Sequence, residues 1–334
     1  MQLYNSNKKR DITLDGLKFI MIFLVTLGHA IEPTRYTMEE SGMLYSAIYA
    51  FHMPMFIILS GYFSKSQNLQ KINQQALKLL ETYIVMDIII GLLYERELIP
   101  ILLRPSPSCW YILSLICWRY MLYWMVGVRM MSKKQIWICS VILAFLFLLI
   151  PLQSKYLNIF SIMRTVQYFP LFFLGYCISP IHIETIRNKA YIKVALYGTS
   201  VVAVICCCAL TCRGLHVLEL HRDSLYGLSS QFGWTWAESL LYLAGITAVG
   251  LTISMAMLSV RRLPKFFCDY GRYSLIFYFI QGVLVFKLTR LLPASFPVEL
   301  LLAAFTIVVG VIISNYCPKI TNPVSWLLGK RVKS

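Results

Sequence analysis

Residues 10–33 read RDITLDGLKFIMIFLVTLGHAIEP, and the reading of this stretch decides the fold. Lys8, Lys9 and Arg10 lead into an apolar run long enough to cross a bilayer. Two ionisable residues, Lys18 and His29, lie inside that run. A charge in hydrocarbon costs about 2.5 kcal/mol or more, which makes both residues functional candidates. They stand eleven positions apart, close to three helical turns. Both therefore leave one face of a helix, roughly 16 Å apart along its axis. One helix then presents a cation near its inner end and an imidazole near its outer end. The same spacing suits a lysine that snorkels and a histidine that only glues two helices together, and spacing alone does not separate the two readings.

The rest of the chain has the same character. Of 334 residues, 58% are hydrophobic and 14% charged, and mean hydropathy is +0.66. Such a composition excludes a soluble globular domain and defines an all-α polytopic membrane protein. A net charge of +16 could point to nucleic acid. The basic residues, however, sit singly or in small groups between apolar runs, as topology signals and lipid contacts do, so no nucleic-acid partner is expected. The ten cysteines lie almost all within apolar runs, with neither a Cys-x-x-Cys pair nor a Cys/His array of zinc spacing. They read as small packing residues, and no metal is expected. The first span is long and lacks a small-residue cleavage site, so it is expected to be retained.

Ten spans are expected, at about 12–32, 44–63, 76–95, 109–128, 135–152, 159–179, 191–212, 235–258, 272–291 and 299–317. They make one transmembrane domain over 1–334, with basic ends at 1–11 and 318–334. With the N-terminus inside, the groups Lys133-Lys134, Arg261-Arg262 and Lys330-Arg331 all fall inside. The outer segments hold scattered single charges such as Arg35, Lys155 and Arg213. That bias puts both termini in the cytoplasm.

Further candidates follow in chain order. His52 lies in the outer half of the second span, at a depth where His29 could meet it, and Pro54 should kink that helix. Ser60, Gly61 and Tyr62 fall at the inner mouth beside Lys18, and Lys65, Lys71 and Lys78 follow. The other reading of those three lysines is positive-inside anchoring. Asp87 and Arg119 lie at similar depths on adjacent helices and should form a structural ion pair. Trp110 and Tyr111 suit an outer aromatic belt. Arg164 either binds a substrate oxygen or snorkels, and Tyr168 on the same helix is grouped with it as substrate-facing. The outer loop from Arg213 to Trp234 mixes aromatic and polar groups, including His216, Glu219, His221, Arg222 and Asp223. It suits a sugar, with Trp234 as a stacking platform, and equally suits an amphipathic loop on the bilayer.

Taken together, these residues resemble integral-membrane acyltransferase family 3, the O-acyltransferases of bacterial glycans, and within it the fucose O-acetylase-related branch. The family's basic-x10-His pattern matches Lys18 and His29, with lysine in the place of the usual arginine. Its second-helix signature matches Phe51-His52-Met53-Pro54 and Ser60-Gly61-Tyr62. Trp110-Tyr111-Ile112-Leu113, Trp118-Arg119 and Phe169-Pro170-Leu171-Phe172-Phe173-Leu174-Gly175-Tyr176 match further motifs. The late pattern Gly271, Ser274, Leu275, Tyr278 usually ends in histidine, where this chain has Gln281.

The resemblance implies transfer of an acyl group, expected to be acetyl, from cytoplasmic acetyl-CoA to a hydroxyl of a cell-surface or lipid-linked glycan. It places the protein in the bacterial inner membrane among membrane lipids, and leaves a homo-oligomer open. It implies CoA phosphates held by Lys18, Lys65, Lys71 and Lys78 beside Ser60, Gly61 and Tyr62. His29 would be the general base, Glu32 its orienting carboxylate, and His52 a polariser of the thioester or a sugar ligand. Trp110, Arg164, Tyr168 and Trp234 would meet the acceptor. A transporter or flippase of a polar glycan, with the same charges lining a pathway, is the alternative. An inactive scaffold is a third.

Overall fold

A computed structural model describes residues 11–93, 103, 105–106, 109–149, 159–213 and 225–316. The described elements are all helices. α1 (Ile12–Ile31) starts where the Asp11 side chain accepts from the Thr13 N–H at 3.0 Å, and it gives way to a 3₁₀ turn, Glu32–Thr34, at Pro33. α2 (Glu39–Tyr49) and α3 (His52–Phe63) together make the second span. The break between them falls at Ala50–Phe51, ahead of the expected kink at Pro54. Pro54 instead sits in the first turn of α3, where its missing N–H costs nothing.

Next come α4 (Leu69–Leu93), α5 (Trp110–Leu122, continued by a π turn over Tyr123–Val128), α6 (Lys133–Leu149) and α7 (Ile162–Cys177). The chain then bends by 81° into α8 (Pro180–Asn188), a short helix with Ser179 at its cap and Pro180 at its first position. α9 (Ala190–Cys212) and α10 (Leu225–Phe232) follow. Gly233, at φ +68°, turns the chain into α11 (Trp236–Leu258), which opens on a Thr235/Glu238 capping box. α12 (Lys265–Tyr270), α13 (Ser274–Leu288) and α14 (Phe296–Tyr316) complete the fold.

A helix thus stands at each of the ten expected stretches. Six of the spans so formed are long and apolar enough to cross a membrane, or seven if the bent α7–α8 pair is one span. α6 and α13, at 17 and 15 residues, fall short of the 18-residue length that separates them.

α1 and the α2–α3 span lie at the centre, with 72% and 78% of their apolar windows buried, whereas α9 is only 11% buried and turns an apolar surface outward. The core forms where α1, α3, α5, α7 and α13 converge around Trp118, Tyr168, Phe172 and Phe277. α3 and α7 cross at backbone contact: a methyl on Gly61 would overlap the Phe172 carbonyl, and one on Gly175 would overlap the Ile58 carbonyl.

Candidate active site

The outer end of α1 carries a linked set of side chains. Nδ1 of His29 lies 3.2 Å from Oε2 of Glu32, which the 3₁₀ turn brings back over the end of the helix. Glu32 is held in turn by Arg35, whose Nη1 is 3.1 Å from Oε1 and 2.9 Å from the Glu32 carbonyl. The Tyr49 hydroxyl approaches Nδ1 at 3.5 Å, and the Phe286 ring of α13 packs on the imidazole at 5.1 Å. With Nδ1–H directed at the carboxylate, Nε2 is left as the basic nitrogen, and it makes no hydrogen bond to a described residue. A histidine fixed in this way can take a proton and keep its orientation while it does so.

His52 is buried, 3% exposed, and its Nδ1 donates to the Ile48 carbonyl at 2.8 Å across the α2–α3 break. Its ring meets the edge of Tyr49 at 4.6 Å, so Tyr49 touches both histidines. While Nδ1 donates to Ile48, a neutral His52 offers only a lone pair at Nε2. In that state it can accept from a hydroxyl but cannot donate to a carbonyl.

At the other end of α1, Lys18 Nζ lies 2.8 Å from Oδ1 of buried Asp15 and 3.8 Å over the Phe63 ring. Lys18 and His29 both turn toward the α2–α3 span, one at each end. Lys65 is committed elsewhere. Its ammonium donates to the carbonyls of Gly175, Tyr176 and Ile178, satisfying the open C-terminus of α7 with all three of its hydrogens. Burial pushes this ammonium down to about 8, with Cys177 opposing the shift and Lys133 adding to it. Lys65, expected as a phosphate ligand, thus serves in this structure as a cap on α7. Gly61 is likewise a packing glycine, filled on its open side by α7. Ser60 bonds the Phe56 carbonyl at 2.8 Å and also the Tyr111 hydroxyl, and half-buried Tyr62 lies under Lys65 at 5.2 Å. Lys71 and Lys78 are exposed, one face of α4 carrying both.

Trp110, Arg164 and Tyr168 come together: Tyr168 stacks on Trp110 at 5.5 Å, and the Arg164 guanidinium sits 5.0 Å over the same indole. Trp234 is packed apart from them, on Phe232 and Tyr242 in the α10–α11 turn. His216, Glu219, His221, Arg222 and Asp223 of the outer loop lie outside the described residues.

The Asp87–Arg119 pair does not form. Asp87 Oδ1 accepts from the N–H of Ser106 at 2.9 Å and from its hydroxyl, just ahead of α5, while Arg119 Nη1 donates to Gln75 at 2.8 Å. Among the described residues no group of three or more His, Cys, Asp or Glu could hold a metal.

The sequence reading passed over Arg35, Tyr49 and Glu299. Arg35 was in reach, since His29, Glu32 and Arg35 follow at intervals of three. Glu299 was not. It reaches Thr34 Oγ1 at 2.6 Å and Ser41 Oγ at 3.3 Å from the opposite end of the chain, and so ties the Glu32–Thr34 turn to α14.

A bundle of apolar helices, with a half-buried histidine–carboxylate pair at one end and a basic rim at the other, has the character of a multi-pass membrane protein. Residues 11–316 match the acyltransferase domain family, and the chain belongs to that family. It is 26% identical over 313 residues to nodulation protein NolL of Sinorhizobium fredii, covering 85% of this chain and 80% of that protein. A shorter match, 35% identical over 79 residues and 21% of each chain, joins it to nodulation protein NolL of Mesorhizobium japonicum. No solved structure matched.

Proposed function

We propose that the protein is an O-acyltransferase of the bacterial inner membrane, with ten crossings, that moves an acetyl group from cytoplasmic acetyl-CoA to a hydroxyl of a surface or lipid-linked glycan. The observation that carries this reading is the His29–Glu32 pair at the outer end of the helix whose inner end bears Lys18. Lys18 holds a phosphate of the donor, helped by the exposed Lys71 and Lys78. The pantetheine arm runs along α1, and the thioester reaches the level of His29.

Nε2 of His29 takes the proton of the acceptor hydroxyl as its oxygen attacks the thioester carbon. The new C–O bond forms, the C–S bond breaks, and CoA leaves as a thiolate that the imidazolium reprotonates. Glu32 steadies the imidazolium, and Arg35 keeps Glu32 in place. His52 Nε2 accepts a second hydroxyl of the sugar. Trp110, Arg164 and Tyr168 shape the acceptor side.

The test is purified protein with labelled acetyl-CoA and candidate glycans. Wild type should release CoA only when the right glycan is present, and His29→Ala should lower transfer by about 10²- to 10⁴-fold with folding intact. Transfer at the wild-type rate in that variant would remove His29 as the base. Absence of CoA release with every glycan would leave the transporter reading in its place.

A further inference from the structure

Gln281 sits on α13, wholly buried at 0% exposure. Neither its amide oxygen nor its amide nitrogen has a hydrogen-bond partner among the described residues. Taking an amide out of water without replacing its hydrogen bonds is costly, and nearly all buried polar groups avoid it. A stranded amide of this kind marks a place where another molecule supplies the partners.

Two ring contacts fix its depth. α1 and α13 run side by side in the same direction, with Phe19 on Phe277 at 4.9 Å toward one end and His29 on Phe286 at 5.1 Å toward the other. Gln281 falls between Phe277 and Phe286. Its level therefore lies between those of Lys18 and His29, part of the way along the path that the donor must follow. Its direction is fixed in the same manner. Phe277 faces α1, and Tyr278 packs on Tyr111 of α5 at 6.0 Å. At about 100° per residue, Gln281 points between those two directions, into the seam between α1 and the Tyr111 ring of α5.

We propose that Gln281 binds the pantetheine arm of the donor, pairing its own C=O and N–H₂ with the N–H and C=O of an amide in that arm. This rests on the acyl-CoA reading above. The arm is a thin apolar chain interrupted by amides, so a buried side-chain amide complements it group for group. A sugar approaches from the His29 end and offers hydroxyls over a wide polar surface, which a single amide deep in a helix seam does not match. The seam is closed around Gln281 here, so the arm enters by parting α13 from its neighbours by about the width of an extended chain.

The experiment uses the full chain in detergent and compares wild type with Gln281→Met, which keeps length and removes both polar atoms. Thermal unfolding is followed with and without CoA, and apparent KM is measured for acetyl-CoA and for the acceptor glycan. Gln281→Met should unfold at the same or a higher temperature than wild type, because the stranded amide is gone. Its apparent KM for acetyl-CoA should rise about tenfold, the loss expected of one good hydrogen-bonded contact. KM for the acceptor should stay constant, and the stabilisation by CoA should shrink. Gln281→Leu gives the same comparison if methionine is not tolerated. A donor KM within twofold of wild type, or a rise in acceptor KM instead, would overturn the assignment while leaving the acyl-CoA reading intact. A wild type that CoA fails to stabilise and that releases no CoA would overturn both.

Discussion

Asp87 and Arg119 show how far a single buried charge can be read. Opposite charges at equal depth on neighbouring helices invite pairing, because an unpaired charge in a low dielectric is expensive. Asp87 instead caps the approach to α5, accepting from the backbone and the hydroxyl of Ser106 near the positive end of that helix. Arg119 turns to Gln75. Depth is legible in a sequence because it counts residues from the membrane edge. Azimuth is not, because it depends on how two helices are rotated against each other. His29 and Glu32 escape this difficulty: both belong to one continuous stretch, and their spacing alone puts them on one side. Asp87→Asn keeps the acceptor for Ser106 and should be tolerated, whereas Asp87→Leu leaves that N–H stranded and should cost about 1–3 kcal/mol of stability. In a double-mutant cycle of Asp87→Ala with Arg119→Ala, followed by unfolding in detergent, the coupling should stay within about 0.5 kcal/mol. A coupling of several times that size would restore the ion pair.

Between helices, the decisive contact is the crossing of α3 and α7. The motif residues Gly61 and Gly175 stand at the point where each backbone lies against the carbonyl of the other helix. Close approach through small residues is a general way for helices to associate in a bilayer, where lipid competes for every apolar face. The same crossing gives Lys65 its place at the end of α7, since only a near-contact of the two helices lets one ammonium reach three carbonyls. The sequence therefore shows the glycine and the lysine but not their purpose. Beside a basic mouth they read as phosphate ligands, and only the fold shows that both also join α3 to α7. Gly61→Ala should push α3 off α7 and lower stability by about 1–3 kcal/mol, as overpacking does. Gly198 of α9 has open space around it, so Gly198→Ala should be neutral or stabilise by up to about 1 kcal/mol. Melting temperatures of the two variants in one detergent settle the matter, and equal behaviour would mean that the α3–α7 crossing is looser than drawn.

For the whole molecule, long-range polar contacts sort the chain into two ends. At one end Arg187 bonds Asp11 at 2.8 Å and the Leu258 carbonyl at 3.2 Å, Thr13 bonds the Arg261 carbonyl, and Lys65 bonds that of Ile178. At the other, Thr34 and Ser41 meet Glu299, and Thr211 bonds Ser46 at 2.6 Å. The first end gathers the segments that the distribution of Lys and Arg assigns to the cytoplasm, and the second gathers those it assigns to the outside. Packing groups the segments by end but does not say which end faces the cytoplasm; that follows from the charge bias alone and is a matter for labelling. We predict that a single cysteine at Tyr36, which is 57% exposed at the second end, reacts with a membrane-impermeant thiol reagent in intact cells. A cysteine at Met130, 84% exposed at the first end, should react only after permeabilisation. Both belong in a background without the exposed Cys139, Cys206 and Cys212. The reverse pattern would turn Lys18 outward and His29 inward. A cytoplasmic nucleotide donor could then no longer reach the basic end of α1, and the division of labour along that helix would have to be abandoned.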